Sequence, residues 1–218
     1  MIGEDCVATS LFIFLCAAAV AGLLVGEKSE NPRLKRIFKP LASLAFILAA
    51  ISAGATGSVF GSIILAGLVL CALGDVLLLS RASASFLAGM AAFAAGHAAY
   101  FAAFLQGGVA FGPAAGAGGL GAAALSLGLL AWLWRDLGSF RPAVIAYCLI
   151  ISAMTAASFA HWAAAGTPDS ARLGLAAVCF AVSDISVARD RFRKEAFANR
   201  LWGLPLYYAA QCLFAISV

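Results

Sequence analysis

Charged side chains are scarce in this sequence of 218 residues. Only 11% of the residues are charged and 64% are hydrophobic, with a mean hydropathy of +1.01. Soluble globular domains carry about 25% charged residues. The composition therefore excludes an ordinary water-soluble domain and favours an integral membrane protein. We expect a single integral membrane domain over residues 1–218, with no separate soluble domain.

Patterns typical of metal and nucleophile chemistry are missing as well. The two histidines, His97 and His161, lie at different predicted depths and cannot form a three-histidine zinc site. None of the six cysteines forms a CxxC pair, so we expect them to act as small apolar residues. No serine stands in a GxSxG context. The sequence thus predicts no metal, no other cofactor and no acyl-enzyme.

What the sequence contains instead is eight long apolar segments. Most approach the roughly 20 residues that a helix needs to span a bilayer. We predict an all-α polytopic membrane protein with eight transmembrane helices at about residues 7–25, 40–55, 58–80, 84–106, 114–134, 142–164, 170–188 and 200–218. Acidic Glu4 and Asp5 precede the first segment where a signal peptide would be basic, so we interpret it as a retained helix.

Basic residues are distributed very unevenly between these helices. Thirteen of the fourteen lysines and arginines lie around the connections between helices 1 and 2, 3 and 4, 5 and 6, and 7 and 8. Arg172 is the exception. Connections rich in lysine and arginine remain in the cytoplasm. The pattern therefore predicts that both termini lie outside the cell.

A weak internal repeat runs through the chain. The matching positions, 102 to 109 residues apart, are Lys39-Pro40 and Arg141-Pro142 at the expected starts of helices 2 and 6, Gly74-Asp75 and Ser183-Asp184 late in helices 3 and 7, and Tyr100 and Tyr208. The paired helices run in the same direction. These matches lead to the hypothesis of two parallel four-helix repeats, related by an axis along the membrane normal.

Polar side chains from five helices fall in one layer near the predicted cytoplasmic side, with His97 somewhat deeper. Ionisable residues inside membrane helices usually mark a functional site. The predicted catalytic residues are Asp75, Asp184 and His97, and the predicted substrate-binding residues are Lys39, Tyr100, Tyr147, Tyr207, Tyr208 and Gln211. The shared depth of these residues predicts a common cavity.

Two carboxyl groups in one apolar cavity cannot both be ionised at low cost. A nearby Lys39 would keep one of them ionised, which leaves one carboxylic acid and one carboxylate. This is the pair that performs acid catalysis through an oxocarbenium-like transition state. Paired intramembrane aspartates and parallel repeats also fit a proton-coupled transporter of a small or lipid-like solute, which is the alternative interpretation.

Six short motifs follow one another through predicted helices 2 to 8. They are Lys39-Pro40, Leu73-Gly74-Asp75-Val76, Phe86-x2-Gly89-x3-Phe93-x3-His97-x2-Tyr100, Tyr147 with Met154, Phe180-x2-Ser183-Asp184, and Tyr207-Tyr208-x2-Gln211. In order and spacing they resemble the lysoplasmalogenase family of membrane proteins, also called YhhN-like.

The resemblance implies a multi-pass hydrolase that cleaves the vinyl ether bond of a lysoplasmalogen. The products would be a fatty aldehyde and a glycerophospho-base. The implied partners are the lysophospholipid substrate and membrane lipids, without nucleic acid. The expected location is the inner membrane of a bacterium. Lys39, or Arg193 and Lys194 between helices 7 and 8, would meet the phosphate of the substrate.

Overall fold

The computed structural model describes residues 2–218, with side chains from residue 6 onward. Within this range the chain forms eight α-helices: α1 (Ile2–Lys28), α2 (Pro32–Ser52), α3 (Val59–Leu77), α4 (Ser83–Gln106), α5 (Pro113–Leu133), α6 (Arg141–Ala165), α7 (Pro168–Phe192) and α8 (Phe197–Ala215). No strand occurs in residues 2–218, so the predicted all-α fold is confirmed. The side chains of Glu4 and Asp5, on which the retained-helix interpretation rests, lie outside the described residues.

Six helices in the described range, α1 and α3 to α7, are long and apolar enough to cross a membrane by length and composition. The other two are more polar. Helix α2 carries four basic residues among its first eight, and α8 carries Arg200, two tyrosines and Gln211. These two helices pack against each other and against α1 and α3, which shield their polar faces. The fold is that of a polytopic membrane protein.

Consecutive helices pair as hairpins, and the pairs are arranged alike in the two halves of the chain. Helix α2 contacts α3 as α6 contacts α7, and α8 packs on α2 as α4 packs on α6. This order of contacts agrees with the hypothesis of repeats formed by α1–α4 and α5–α8. The halves differ at their edges, because α1 also packs on α8 whereas α5 contacts α6 and, weakly, α7.

Helix α2 begins earlier than predicted. The sequence pattern placed its start at Lys39-Pro40, but the Asn31 side chain accepts hydrogen bonds from the backbone N–H groups of Arg33 and Leu34, and Pro32 occupies the first helical position. Both features initiate helices. Pro40 therefore lies inside α2, and its proposed match to the start of α6 was wrong. The other helices begin and end within five residues of the prediction.

The four connections 29–31, 78–82, 134–140 and 193–196 carry basic residues or adjoin helix ends that do, and they meet at one end of the bundle, here called the basic end. Ion pairs join them to each other and to the adjacent helix ends: Arg81 with Glu195, Arg193 with Asp136, and Arg200 with Glu27. The alternation of charge along the sequence thus corresponds to one charged end of the folded bundle.

Helices α3 and α4 pack closely in the middle of the bundle. A Cβ atom at Gly74 would lie 2.7 Å from the ring of Phe93, and one at Gly96 would lie 2.6 Å from Sγ of Cys71. Both distances are far shorter than van der Waals contact. Small residues allow membrane helices to approach in this way. Gly74, which directly precedes Asp75, therefore makes room for the Phe93 ring beside the candidate site.

Candidate active site

A cavity of about 380 Å³ opens at the basic end and extends between the helices. Charged residues surround its mouth: Glu27, Lys35, Arg81, Asp190, Arg191, Glu195 and Arg200. Further in, Asp75 and Asp184 both line the cavity, and most of the remaining wall is apolar. A cavity of this size, with a few polar groups on apolar walls, is typical of sites for small molecules.

Asp75, on α3, is held by side chains of α2 and α8. Nζ of Lys39 lies 3.4 Å from Oδ1. The hydroxyls of Ser43 and Tyr207 donate hydrogen bonds of 2.7 and 2.8 Å to Oδ2, and the Tyr208 hydroxyl lies 3.4 Å from the same atom. Only 3% of the Asp75 side chain is exposed. A cation and several hydroxyl donors satisfy a buried carboxylate, so these contacts stabilise Asp75 in its ionised form.

A chain of hydrogen bonds continues behind Tyr207. Gln211 Nε2 donates to the Tyr207 hydroxyl at 3.1 Å, and the Tyr100 hydroxyl donates to Gln211 Oε1 at 2.9 Å. Tyr100 and Gln211 are completely buried and do not line the cavity. Their contacts orient the Tyr207 hydroxyl toward Asp75.

Asp184, on α7, has a different environment. The Tyr147 hydroxyl, from α6, donates a 2.8 Å hydrogen bond to Oδ2. Nε2 of His97, from α4, lies 2.9 Å from that hydroxyl and 3.9 Å from Asp184 Oδ2. The Asp184 side chain is 19% exposed, and no lysine or arginine pairs with it among the described residues. Asp184 is therefore the more accessible and the less neutralised of the two carboxyl groups.

The hydrogen-bond directions define the state of His97 when Asp184 is ionised. A carboxylate only accepts, so Tyr147 gives its single hydroxyl proton to Asp184 and accepts a hydrogen bond from His97 Nε2–H. His97 is completely buried, and its Nδ1 has no hydrogen-bond partner within the described part of the chain. A proton on Nδ1 would be left unpaired. In that state His97 is a neutral donor that positions Tyr147, and Tyr147 positions Asp184.

One comparison with known proteins finds a match. The model of the YhhN family matches residues 34–218, which include most of α2 and all of α3 to α8. The chain belongs to the YhhN family. Neither a curated protein nor a solved structure matches it. The matched segment contains every residue of the site described above except Glu27 at the mouth, and the family resemblance seen in the motifs is confirmed.

In this YhhN protein the nine predicted site residues are close together but differ in access. Lys39, Asp75, Tyr147, Asp184 and Tyr207 line the cavity. Of the other four, His97, Tyr208 and Gln211 lie behind these and hydrogen-bond to them, and Tyr100 hydrogen-bonds to Gln211. The prediction missed Ser43, since a serine in an apolar helix is common. Its position one turn after Lys39, on the same helix face, was the available signal.

Other polar residues lie away from the site. Nδ1 of His161 is 2.8 Å from the carbonyl oxygen of Gly108, and its ring stacks between Phe60 and Phe104 at the opposite end of the bundle. These contacts attach the connection between α4 and α5 to α6. No group of three His, Cys, Asp or Glu side chains that could hold a metal ion occurs among the described residues.

An ion-pair network surrounds the mouth of the cavity. Glu195 pairs with Arg81 and Arg200, and Arg200 also pairs with Asp190 at 2.7 Å. Arg191 donates a 3.0 Å hydrogen bond to the backbone carbonyl of Arg81. Hydrogen bonds from Arg81 and then Arg200 lower the pKa of Glu195 from 4.5 to about 2. The network therefore connects 78–82 with 193–196 across the mouth over a wide range of pH.

We expect Glu195→Gln to lower thermal stability in detergent, with a pH dependence set by this pKa. Because the folded-state pKa is below the unfolded value, the stabilisation is complete above about pH 4.5 and is lost as pH falls toward 2. The difference in melting temperature between wild type and variant should follow that course. Glu30→Gln, at an exposed carboxylate of connection 29–31, is the control. A pH-independent difference would contradict the assignment.

Proposed function

We propose that this YhhN protein is a membrane hydrolase that cleaves the vinyl ether bond of a lysoplasmalogen, releasing a fatty aldehyde and a glycerophospho-base. The observation that carries the proposal is the presence of two carboxyl groups, Asp75 and Asp184, on one cavity in different surroundings. Vinyl ether hydrolysis requires an acid and a stabilising anion, and these surroundings suit one group to each task. The motifs shared with lysoplasmalogenases support the substrate class.

Asp184 is proposed as the acid. It transfers a proton to the second carbon of the double bond, so that an oxocarbenium ion forms at the carbon bonded to the ether oxygen. Its exposure to the cavity, its single donor Tyr147 and the lack of a paired cation support this role. Asp75, kept ionised by Lys39 and the hydroxyl donors, supplies negative charge that stabilises the cation.

Water then adds to the oxocarbenium ion, and the proton that it loses returns to Asp184. The resulting hemiacetal collapses to the aldehyde and the glycerol hydroxyl. One water molecule is consumed and the catalytic proton is regenerated, so atoms and charge balance. Lys35, which lines the cavity toward its mouth, is proposed to bind the phosphate of the substrate, since Lys39 is already paired with Asp75.

The test is aldehyde release by the purified protein in detergent. We expect release from a lysoplasmalogen and none from the saturated 1-alkyl ether lysolipid, whose chain has no double bond to protonate. Flux of a solute across liposomes, without aldehyde release from the vinyl ether, would instead support the proton-coupled transporter.

We also infer that the basic end faces the cytoplasm of a bacterium, with both termini outside the inner membrane. The support is the concentration of basic residues at this end. A cysteine at Ser29, in connection 29–31, should react with a membrane-impermeant maleimide only after permeabilisation. A cysteine at Phe111, which is 94% exposed between α4 and α5, should react in intact cells. Exposed Cys6 is replaced by alanine beforehand. The reverse labelling would contradict the orientation.

A further inference from the structure

The cavity continues past Asp184, away from the basic end, as an apolar groove. Helices α5 and α6 form its walls. We call this space the chain groove, and its lining residues are Ala122, Leu125, Ser126, Ile151, Ser152 and Thr155. The three α5 residues are spaced i, i+3 and i+4, and the three α6 residues follow Cys148, which also lines the cavity, at i+3, i+4 and i+7, so each set lies on one helix face. Two facing stripes of small and aliphatic side chains therefore border one continuous space.

The polar atoms of the chain groove are bonded within its walls. The hydroxyls of Ser126 and Ser152 lie 2.8 Å apart, and Ser152 also donates to the backbone carbonyl of Ala122 at 3.4 Å. Thr155 donates a 2.8 Å hydrogen bond to the carbonyl of Ile151. Because these hydroxyls already have partners, the groove presents a surface suited to hydrocarbon.

The length of the groove follows from the rise of α6. Ser152 and Thr155 lie five and eight residues beyond Tyr147, the hydrogen-bond partner of Asp184. At 1.5 Å per residue, these positions are about 7.5 and 12 Å deeper than Tyr147. With carbon–carbon bonds of about 1.5 Å and bond angles near 111°, an extended hydrocarbon chain advances about 1.25 Å per bond. The groove therefore holds about six carbons to the level of Ser152 and about ten to the level of Thr155.

We propose that the chain groove binds the single hydrocarbon chain of a lysolipid, with the head group at the charged mouth. The charged end and the apolar end of one cavity match an amphiphile with one tail. Helix α5 packs on α6 but only weakly on α7, which gives a chain lateral access from the bilayer. The claim that this hydrocarbon chain belongs to the substrate rests on the proposed function. The claim that the groove binds a hydrocarbon chain does not.

The test uses Ala122→Phe, which fills the groove at the level of Ser152, and Ala123→Phe as the matched control. Ala122 is buried and lines the groove, whereas the adjacent Ala123 is exposed. The probes are saturated 1-alkyl ether lysophospholipids with chains of 4 to 16 carbons, titrated calorimetrically into purified protein in one detergent. At a given chain length the probe partitions into micelles to the same extent for every variant, so differences between variants report binding to the protein.

We expect Ala122→Phe to bind chains of up to about six carbons as wild type does. Chains of ten carbons or more should bind about tenfold or more weakly. Ala123→Phe should match wild type at every length. If Ala122→Phe does not fold, Ala181→Leu on the α7 side of the cavity, about 4.5 Å deeper than Asp184, repeats the test with the limit moved to about four carbons. The proposal is overturned by equal effects on all lengths, by no effect, or by a wild type that binds no chain.

Aldehyde release from the matching vinyl ether lipids, measured in parallel, separates the two proposals. Length-selective binding without any aldehyde would leave the groove established and contradict the hydrolase. Aldehyde release without a length-selective effect of Ala122→Phe would support the hydrolase and contradict the groove.

Discussion

Asp184→Asn should reduce aldehyde release by about 10²-fold or more, the usual effect of losing an acid–base group. Asparagine has nearly the same shape and accepts the Tyr147 hydrogen bond, but it has no proton to transfer to carbon. The protein should remain folded, because Asp184 has no paired lysine or arginine that the change would leave unpartnered. Turnover per folded protein, with folding followed by size-exclusion profile and thermal unfolding, is the measurement.

Asp169→Asn is the matched control for this change. Asp169 is exposed at the opposite end of the bundle, where it pairs with Arg172. The control should retain wild-type turnover. A well-folded Asp184→Asn protein with near-normal aldehyde release would remove Asp184 from the chemistry.

Asp75→Asn should cause a loss of similar size, about 10²-fold, but with an effect on stability that Asp184→Asn lacks. Nζ of Lys39 lies 3.4 Å from Asp75, and only 12% of the Lys39 side chain is exposed. Removing one partner of a buried pair leaves an uncompensated charge and costs about 3–5 kcal/mol. Thermal unfolding and turnover should therefore both fall.

The double variant Lys39→Met/Asp75→Asn separates these two effects. With both charges removed, stability should return toward that of wild type, while turnover should stay low because the stabilising anion is absent. Recovery of turnover together with stability would show that Asp75 serves only the fold.

Combining Asp75→Asn with Asp184→Asn should reduce turnover hardly more than either change alone, since groups that act as a unit are non-additive.

Apart from Ser43, the members of the candidate site were predictable from the sequence, but their division into two clusters was not. Polar residues are rare in these apolar helices, so Asp75 and Asp184 stand out by composition alone. Tyr147 and Tyr207 look equivalent in the sequence, yet they contact different aspartates. Both α6 and α8 pack on α7, but α8 also packs on α2 and α3, which carry the Asp75 cluster, whereas α6 also packs on α4, which carries His97. Helix neighbours depend on tertiary packing, which periodicity does not encode.

Two other features escaped the sequence pattern for identifiable physical reasons. The predicted start of α2 was too late, because the basic residues between 33 and 39 interrupt the hydrophobic pattern although they are helical. The chain groove gave no signal, since Ala122, Ser126 and Ser152 have the small side chains found at most membrane helix contacts. These residues line a cavity because α5 packs only weakly on α7, and the sequence does not show this.

The central claim, protonation at carbon by a carboxylic acid, is tested most directly by hydrolysis in D₂O. The purified protein is given a lysoplasmalogen in deuterated buffer, and the aldehyde is trapped at once and examined by mass spectrometry. The account predicts one deuterium on the second carbon of the aldehyde per turnover, formed by wild type and by Asp169→Asn but at least about 10²-fold more slowly by Asp184→Asn. Aldehyde without deuterium at that carbon would contradict it.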